Sequence, residues 1–228
     1  MKRLTTVVAL LLAADLAWAD TAKDDVIERL QNAAVVLQAI IDTPDKGIPA
    51  EVIRRARCIA VIPHEARFFF GTAQGKGVVT CHTAEGWSAP AFFSITGGKF
   101  GSQVGLEGLD NVLMIMKQKG MERLLSNNFQ IGEASAVAGP VGYHAAAGVD
   151  WKIDTEILSY SRYQCVFAGA TLDGASVTPD HEAMQAFYGA HASPRQVLLG
   201  HVRPPAAAKT FLAAVVGAEQ RAKQAKES

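Results

Sequence analysis

The spacing of hydrophobic residues changes along the chain and separates helical from extended parts. Between residues 24 and 41, apolar positions recur every three or four residues, which is typical of a helix with one buried face. The stripe comprises Val26, Leu30, Ala33, Leu37 and Ile40. Proline cannot continue a helical hydrogen-bond ladder, so Thr43-Pro44 should end this helix. Pro49 can then begin a short second helix, residues 49–57.

From Cys58 to about Phe100 the pattern consists of short apolar or aromatic runs separated by glycines, which predicts antiparallel strands. Further along, the pattern predicts a helix over 109–125, strands or close backbone packing around Gly139, Pro140 and Gly142, one or two strands within 156–172, and helices over 180–188 and 206–226. We detect no repeat and no second domain. The predicted class is α+β, a mostly antiparallel sheet flanked by N-terminal, central and C-terminal helices.

The N-terminus has the order of features found in a cleavable signal peptide. Lys2 and Arg3 precede an apolar run over 4–14, and Ala17-Trp18-Ala19 forms an A-x-A cleavage site before Asp20. A spanning helix needs roughly 20 apolar residues, more than this stretch offers. The alternative is a buried N-terminal helix. We expect residues 1–19 to be removed, which gives a soluble periplasmic or secreted protein with a domain over 20–203 and an amphipathic helix over 204–228.

The length and net charge of the expected cleavage product limit the classes of function that the protein can have. The expected product of cleavage has 209 residues, which suits one domain with a substantial core. It carries 20 basic and 21 acidic residues, a formal net charge of −1. A nucleic-acid binder would show a strong basic excess. Any recognition of phosphate must therefore come from a local cluster of cations.

The three cysteines allow at most one internal disulfide in an exported protein. Cys58 begins one predicted strand and Cys81 ends another, with a glycine-bearing segment between them that could bring the strands together. We predict a Cys58–Cys81 bond and a buried thiol at Cys165. The alternative is that all three are small core residues.

Motifs for catalysis or cofactor binding are not evident. The segment GTAQGKG (71–77) has the wrong glycine spacing for a phosphate-binding loop and lacks the Ser or Thr after lysine. The potential zinc ligands Cys58, His64, Cys81 and His82 match no ligand spacing that we can defend. We find no pair of carboxylates that can be placed together for acid/base chemistry. The sequence therefore predicts no enzyme and no cofactor.

A basic run with nearby aromatic residues is the one pattern that points to a ligand. Guanidinium groups bind phosphate bidentately, so such a cluster beside exposed aromatics would suit a lipid headgroup. The candidate lipid-binding residues are Arg54, Arg55, Arg57, Lys76, Lys99, Phe68, Phe69 and Phe70. The alternative is a solvated helix face with ordinary sheet packing.

Six segments, in order, resemble the SYLF domain family. They are RARCIAVIP (55–63), GKGVV (75–79), WSAPAFF (87–93), GGKFGSQVG (97–105), AVAGPVG (136–142) and SYSRYQCVFAGATLDG (159–174). The resemblance implies binding to phosphoinositides or other anionic phospholipids at a membrane surface, without a catalytic step. Eukaryotic members also bind actin, and we do not transfer that activity to this chain.

Three functional hypotheses follow. The first is a lipid-binding protein of the cell envelope. The second is a structural or partner-binding envelope protein that docks another chain through its amphipathic helices. The third is a small-molecule hydrolase with an unfamiliar site.

Overall fold

The computed structural model of the protein has an α+β fold, which confirms the predicted class. It describes residues 2–43, 47–63, 67–69, 72–97, 110–126, 129–130, 136–139, 155–163, 166–169, 174–190 and 192–227. The helices are α1 (Lys2–Ile41), α2 (Ala50–Arg55), α3 (Gln118–Leu124), α4 (His181–Tyr188), α5 (Pro194–Leu198) and α6 (Lys209–Glu227), with a 3₁₀ turn at Ala206–Ala208. The strands are β1 (Cys58–Ile62), β2 (Arg67–Phe69), β3 (Thr72–Thr83), β4 (Gly86–Trp87), β5 (Ala91–Thr96), β6 (Asp110–Ile115), β7 (Phe129–Gln130), β8 (Ala136–Ala138), β9 (Ile157–Tyr163), β10 (Val166–Gly169) and β11 (Ser176–Pro179).

The described strands form one sheet in the order β10-β9-β6-β1-β3-β5-β11-β7, and β2 and β4 pair with β3. All of these pairs are antiparallel except β8 with β9. The sheet mixes neighbours in sequence with distant ones, since β1 lies between β3 and β6, and β5 lies beside β11. The predicted antiparallel strands after Cys58 are therefore confirmed.

Helix α1 buries the predicted stripe. Val26, Leu30 and Leu37 are each at most 2% exposed, and Ile40 is fully buried. Burying one such side chain contributes roughly 1.5–3 kcal/mol, so this face holds the helix to the domain. The helix ends at Ile41, shortly before the predicted break at Pro44. Among the described residues, no helix combines the length and apolar character needed to cross a membrane.

The prediction of a helix over 109–125 is wrong for its first half. That half is strand β6, buried at every position from Asp110 to Ile115, and only 118–124 is helical. The apolar run Val112–Ile115 is continuous because β6 is covered on both faces, and a doubly buried strand needs no alternation.

The remaining expectations agree with the structure where it describes them. Strands β9 and β10 lie within 156–172, and helices α4 and α6 correspond to the helices predicted over 180–188 and 206–226. Gly139 lies so close to Tyr160 that a Cβ there would come within 2.1 Å of the tyrosine ring. Pro140 and Gly142 lie outside the described residues. Strand β11 and helix α5 were not predicted.

Each face of the sheet carries its own helical layer. On one face, Phe92 contacts Phe187 of α4, with ring centroids 5.2 Å apart, and lies beneath the guanidinium of Arg29 from α1. On the other, Phe93 lies against Gly77, where an added Cβ would be 2.3 Å from its ring. Leu198 of α5 packs on this second face, lining a small cavity with Phe93.

A buried ion pair joins the first helix to the fourth. Nη1 of Arg29 lies 3.0 Å from Oδ2 of Asp180, and both side chains are less than 10% exposed. Oδ1 of Asp180 also accepts a hydrogen bond of 3.0 Å from the Ala183 amide, which caps α4. The carboxylate therefore holds α1 and the start of α4 in place together.

Candidate functional site

The strand register separates the predicted lipid-binding residues into two groups. Arg57 directly precedes β1, whose first residue Cys58 pairs with Cys81 of β3. Lys76 lies five residues before Cys81 on β3, and Phe68 pairs with Ala73, eight residues before it. At about 3.3 Å per residue, these positions are about 17 and 26 Å from the Cys81 end. The arginines therefore do not share an end of the sheet with Lys76 and Phe68.

Of the other predicted site residues, some lie among the residues that the structure describes and some do not. Phe69 pairs with Thr72 in the same hairpin as Phe68. Phe70 and Lys99 lie outside the described residues. Ala19 and Asp20, the predicted cleavage pair, lie within α1, and the first buried residue described in that helix is Val26.

The arginine run sits on α2 and on the turn that leads from it into β1. Glu51 forms ion pairs with Arg54, three residues on, and with Arg55, four residues on. Val52 and Ile53 are buried on the opposite side of the helix. This places Arg55, with a side chain 53% exposed, and Arg57 at the surface.

Three more cations reach the same end of the sheet through β6. The Arg57 amide donates a 2.7 Å hydrogen bond to the Ile115 carbonyl, and the Met116 amide donates a 2.8 Å hydrogen bond to the backbone carbonyl of Glu156. The chain then turns into α3. The added cations are Lys117, Lys119 and Arg123. Sequence reasoning missed them because it assigned this stretch to a longer helix, although the Lys-x-x-x-Arg spacing of 119 and 123 was visible.

We call this region the basic end: Arg54, Arg55, Arg57, Lys117, Lys119 and Arg123 with the acids Glu51, Glu122 and Glu156. Six cations against three carboxylates leave a formal surplus of three positive charges. Glu156 is 9% exposed and receives Lys119 at 3.1 Å and Arg123 at 3.4 Å. Its buried carboxylate orients both cations on α3, while their exposed fractions of 68% and 37% leave them accessible to solvent. Such a surface can attract phosphate groups.

An aromatic group borders the basic end. Trp87 of β4 pairs with His82, and the two rings meet edge to face with centroids 5.1 Å apart. The indole N–H donates a 2.8 Å hydrogen bond to Oε2 of Glu219 on α6, and Lys223 lies 2.6 Å from the same carboxyl group. This contact attaches α6 to the β3–β4 hairpin.

Burial alone would raise the pKa of Glu219, but hydrogen bonds from Lys223 and Trp87 outweigh it and lower the pKa below its usual value. Stability from this carboxylate is therefore complete above the unfolded pKa of about 4.3 and is lost as pH falls through the lower folded pKa.

We expect Glu219→Gln to reduce the free energy of unfolding by about 1 kcal/mol at neutral pH, because one charge-assisted contact at a partly exposed site is lost. The difference from wild type should shrink below about pH 4. Urea denaturation of both proteins across this range measures it. Glu85→Gln, at an exposed position of the same hairpin, is the control. A difference that grows in acid would contradict the assignment.

The described residues offer no group of three or more side chains that could hold a metal ion. The two tyrosines with altered acidity, Tyr160 and Tyr188, both have their pKa raised by burial and stay neutral. The Tyr188 hydroxyl donates to the Pro90 carbonyl at 2.5 Å, which holds α4 to the sheet.

The disulfide predicted between Cys58 and Cys81 is present. Both residues are fully buried, and they are direct partners in the register of β1 with β3. His64 is outside the described residues, and so is Cys165. The two half-cystines are not available as metal ligands.

The amphipathic helices use their apolar faces within the domain. Phe211 and Val215 of α6 are fully buried, and α6 packs against α1 and α2. Asp42 and Arg221 form an ion pair where α1 ends. A partner that docks on these helices would contact their outer faces, where Val35 is 59% and Val216 38% exposed.

Comparison with known proteins matches the chain to one protein family and to several relatives. The model of the Ysc84 family, described as a Las17-binding protein actin regulator, matches residues 96–218. The LAS seventeen-binding protein 3 of Saccharomyces cerevisiae is 31% identical over 169 residues, which are 72% of this chain and 37% of the yeast protein.

Two further relatives show the same partial coverage. Protein YSC84 of Saccharomyces cerevisiae is 30% identical over 194 residues, 80% of this chain and 41% of its own length. The human SH3 domain-containing YSC84-like protein 1 is 30% identical over 170 residues, 73% of this chain and 50% of its own length. The chain thus spans half or less of the length of these relatives.

Proposed function

Because this chain belongs to the Ysc84 family, whose domain is the SYLF domain, we propose that it is a non-catalytic protein that binds anionic phospholipid headgroups through its basic end. Membership of the family agrees with the resemblance found in the sequence. The observation that carries the proposal is the meeting of α2, the start of β1 and α3 at one end of the sheet. It gathers six cations in a protein with no overall excess of positive charge.

The arrangement of charges favours a membrane surface as the ligand. Glu51 and Glu156 each orient two cations and leave the positive surplus facing solvent. A Lys or Arg near an anionic bilayer contributes about 1 kcal/mol of attraction, and several act together. Trp87 borders the region, and indole rings are favoured at the interface between water and lipid.

The hairpin with Phe68 and Phe69 belongs to the opposite end and is not part of this site. The lipid-binding set that we propose keeps Arg54, Arg55 and Arg57, adds the cations of α3, and omits Lys76 and the phenylalanines. Along β3, Lys76 and the pairing partner of Phe68 are about 17 and 26 Å from Cys81, so these side chains do not border the basic end.

We also propose that the protein acts in the cell envelope after removal of residues 1–19. In support, Thr21 to Asp25 at the following positions of α1 are exposed or half-buried, and Val26 is the first buried residue described in this helix. Cleavage before Asp20 would leave every buried residue described in α1 intact. The buried disulfide is typical of an oxidising compartment.

Co-sedimentation with vesicles tests the lipid proposal. The chain from residue 20 onward should sediment with phosphatidylcholine vesicles that contain phosphatidylglycerol and remain in solution with phosphatidylcholine alone. The triple variant Arg55→Ala/Arg57→Ala/Lys119→Ala should bind about 100-fold more weakly, because three contributions of about 1 kcal/mol are removed. High salt should reduce binding of the wild type.

The matched control removes the same charge from other surfaces. Lys76 is exposed at the other end of β3, and Lys23 is exposed beside it, since the neighbouring Ala22 lines one cavity with Lys76. Lys209 is exposed at the start of α6, ten residues before Glu219. The variant Lys23→Ala/Lys76→Ala/Lys209→Ala should therefore bind nearly as wild type does. Equal sedimentation with both vesicle types, or equal losses in the two triple variants, would contradict the proposal.

A protein partner is the second candidate, since the family description and the yeast relative's name refer to binding of Las17. The exposed Val35 and Val216 on the outer faces of α1 and α6 favour it. Two results together would support this candidate instead. The wild type would not bind anionic vesicles, and it would capture a protein from envelope extracts that the variant Val35→Gln/Val216→Gln does not capture.

A further inference from the structure

Strand β4 has one edge that faces away from the sheet. The Ser88 amide donates a 2.9 Å hydrogen bond to the Cys81 carbonyl, and the Thr80 hydroxyl donates to the Ser88 carbonyl at 2.8 Å. Backbone groups of successive residues in a strand point to opposite sides. The N–H and C=O of Trp87 therefore point away from β3, toward the outer edge. In the described part of the sheet, β4 pairs with β3 alone.

A cleft of about 490 Å³ lies beside this edge. One wall is the hairpin from Thr83 to Ala89, and the other is the extended segment from Gly200 to Pro204. One residue of a paired strand occupies about 160 Å³, taking a rise of 3.3 Å, a strand spacing of 4.8 Å and a sheet spacing of 10 Å. The cleft thus has room for about three residues of an additional strand.

The second wall contributes side chains and not a further ladder. Pro204 and the following Pro205 have no backbone N–H, so this part of the wall cannot donate to an inserted strand. Arg203 and His201 are exposed at this wall, and Arg203 places a permanent positive charge there. The hairpin wall carries the opposite charge at the exposed Glu85, so the Arg203 side of the cleft is the side that favours an acidic residue. A bound segment is therefore held by backbone hydrogen bonds on the Trp87 side and by charge on the Arg203 side.

Trp87 is fixed in position for this role. Its indole N–H is occupied by Glu219, and its ring contacts His82, so the side chain is held while the backbone of the same residue faces the cleft. A preordered edge lowers the entropy that a ligand must lose on binding.

We propose that the outer edge of β4 binds an extended peptide segment of a partner protein, which adds a strand beside Trp87 and places an acidic side chain against Arg203. Main-chain hydrogen bonds supply the attraction, and the charge of Arg203 selects the side chain. The site borders the basic end at Trp87 but uses the backbone edge of β4 and Arg203, neither of which belongs to the lipid-binding set, and it stands whether or not the protein binds lipid.

The test uses a capped pentapeptide of sequence Val-Thr-Glu-Val-Thr, followed by amide NMR of the purified protein. We expect weak saturable binding that shifts the Trp87 backbone amide and slows its hydrogen exchange. The same peptide with N-methyl groups along one edge cannot form the ladder and should not bind. Replacing its glutamate by lysine should weaken binding about two- to fivefold, the range for one exposed ion pair.

A charge reversal in the protein decides the role of Arg203. Arg203→Glu is an exposed substitution that should leave the fold unchanged and should reverse the preference, so that the lysine peptide binds more tightly than the glutamate peptide. Unaltered preference would overturn the assignment of Arg203. An unshifted Trp87 amide, or equal binding of the N-methylated peptide, would overturn strand addition. Vesicle binding by the Arg203→Glu variant should match wild type, which separates this site from the lipid proposal.

Discussion

Replacement of Arg29 by methionine should lower the free energy of unfolding by about 3–5 kcal/mol. The change removes the cation of the buried pair and leaves the Asp180 carboxylate without it, at a position where both side chains are less than 10% exposed. It also removes the guanidinium that lies 5.7 Å from the ring centre of Phe92. Denaturation by urea, with the slope compared between variants, measures the loss.

Two controls separate the buried charge from other effects. Arg195 is exposed on α5, and Arg195→Met should change stability by less than about 0.5 kcal/mol. The double variant Arg29→Met/Asp180→Asn should recover part of the loss, because asparagine still caps α4 and carries no charge. If the double variant is less stable than Arg29→Met alone, the unpaired carboxylate is not the cause.

The second large effect is expected from the disulfide. Cys58 and Cys81 are 23 positions apart, and closing a loop of this size stabilises the folded state by about 3 kcal/mol through the unfolded chain. Dithiothreitol should therefore lower the urea midpoint of the wild type. Cys58→Ala/Cys81→Ala should already show the lower midpoint and should not respond to the reductant.

Counting thiols checks the pairing independently. The unfolded, unreduced protein contains three cysteines and should react with one equivalent of a thiol reagent, at Cys165. Three reactive thiols would show that the bond does not form in the protein. A reductant effect equal in wild type and double variant would assign the lost stability to another process.

The sequence pattern predicted secondary structure correctly where an element buries only one face. The stripe of α1 repeats at helical spacing, and its members are buried as expected. The prediction was wrong for β6, because a strand covered on both faces does not alternate apolar and polar residues. Its four consecutive apolar residues fit a helix as readily as a strand. Helix α5 has five residues, too few to establish a period.

The site was predicted in part because nearness along the chain is a poor measure of nearness in a sheet. Arg54 and Arg55 stay together since they share one turn of α2. Lys76 was grouped with them, although β3 extends over 12 residues and carries it well away from Cys81. Lys119 and Arg123 come to the arginines through the pairing of β1 with β6, which no local pattern encodes. The partners Arg29 and Asp180 are 151 positions apart.

The strand order also has a consequence for synthesis of the protein. Strand β5, from the first half of the chain, is completed by β11, and α1 is fixed by Asp180 at the start of α4. As the chain emerges from the ribosome, the core of its N-terminal half therefore cannot pack completely until residues near 180 have been synthesised. Folding that depends on contacts between such distant residues is slow. The nascent chain stays open while its first residues are already exposed, and the export signal that we propose for residues 1–19 would be read in this interval.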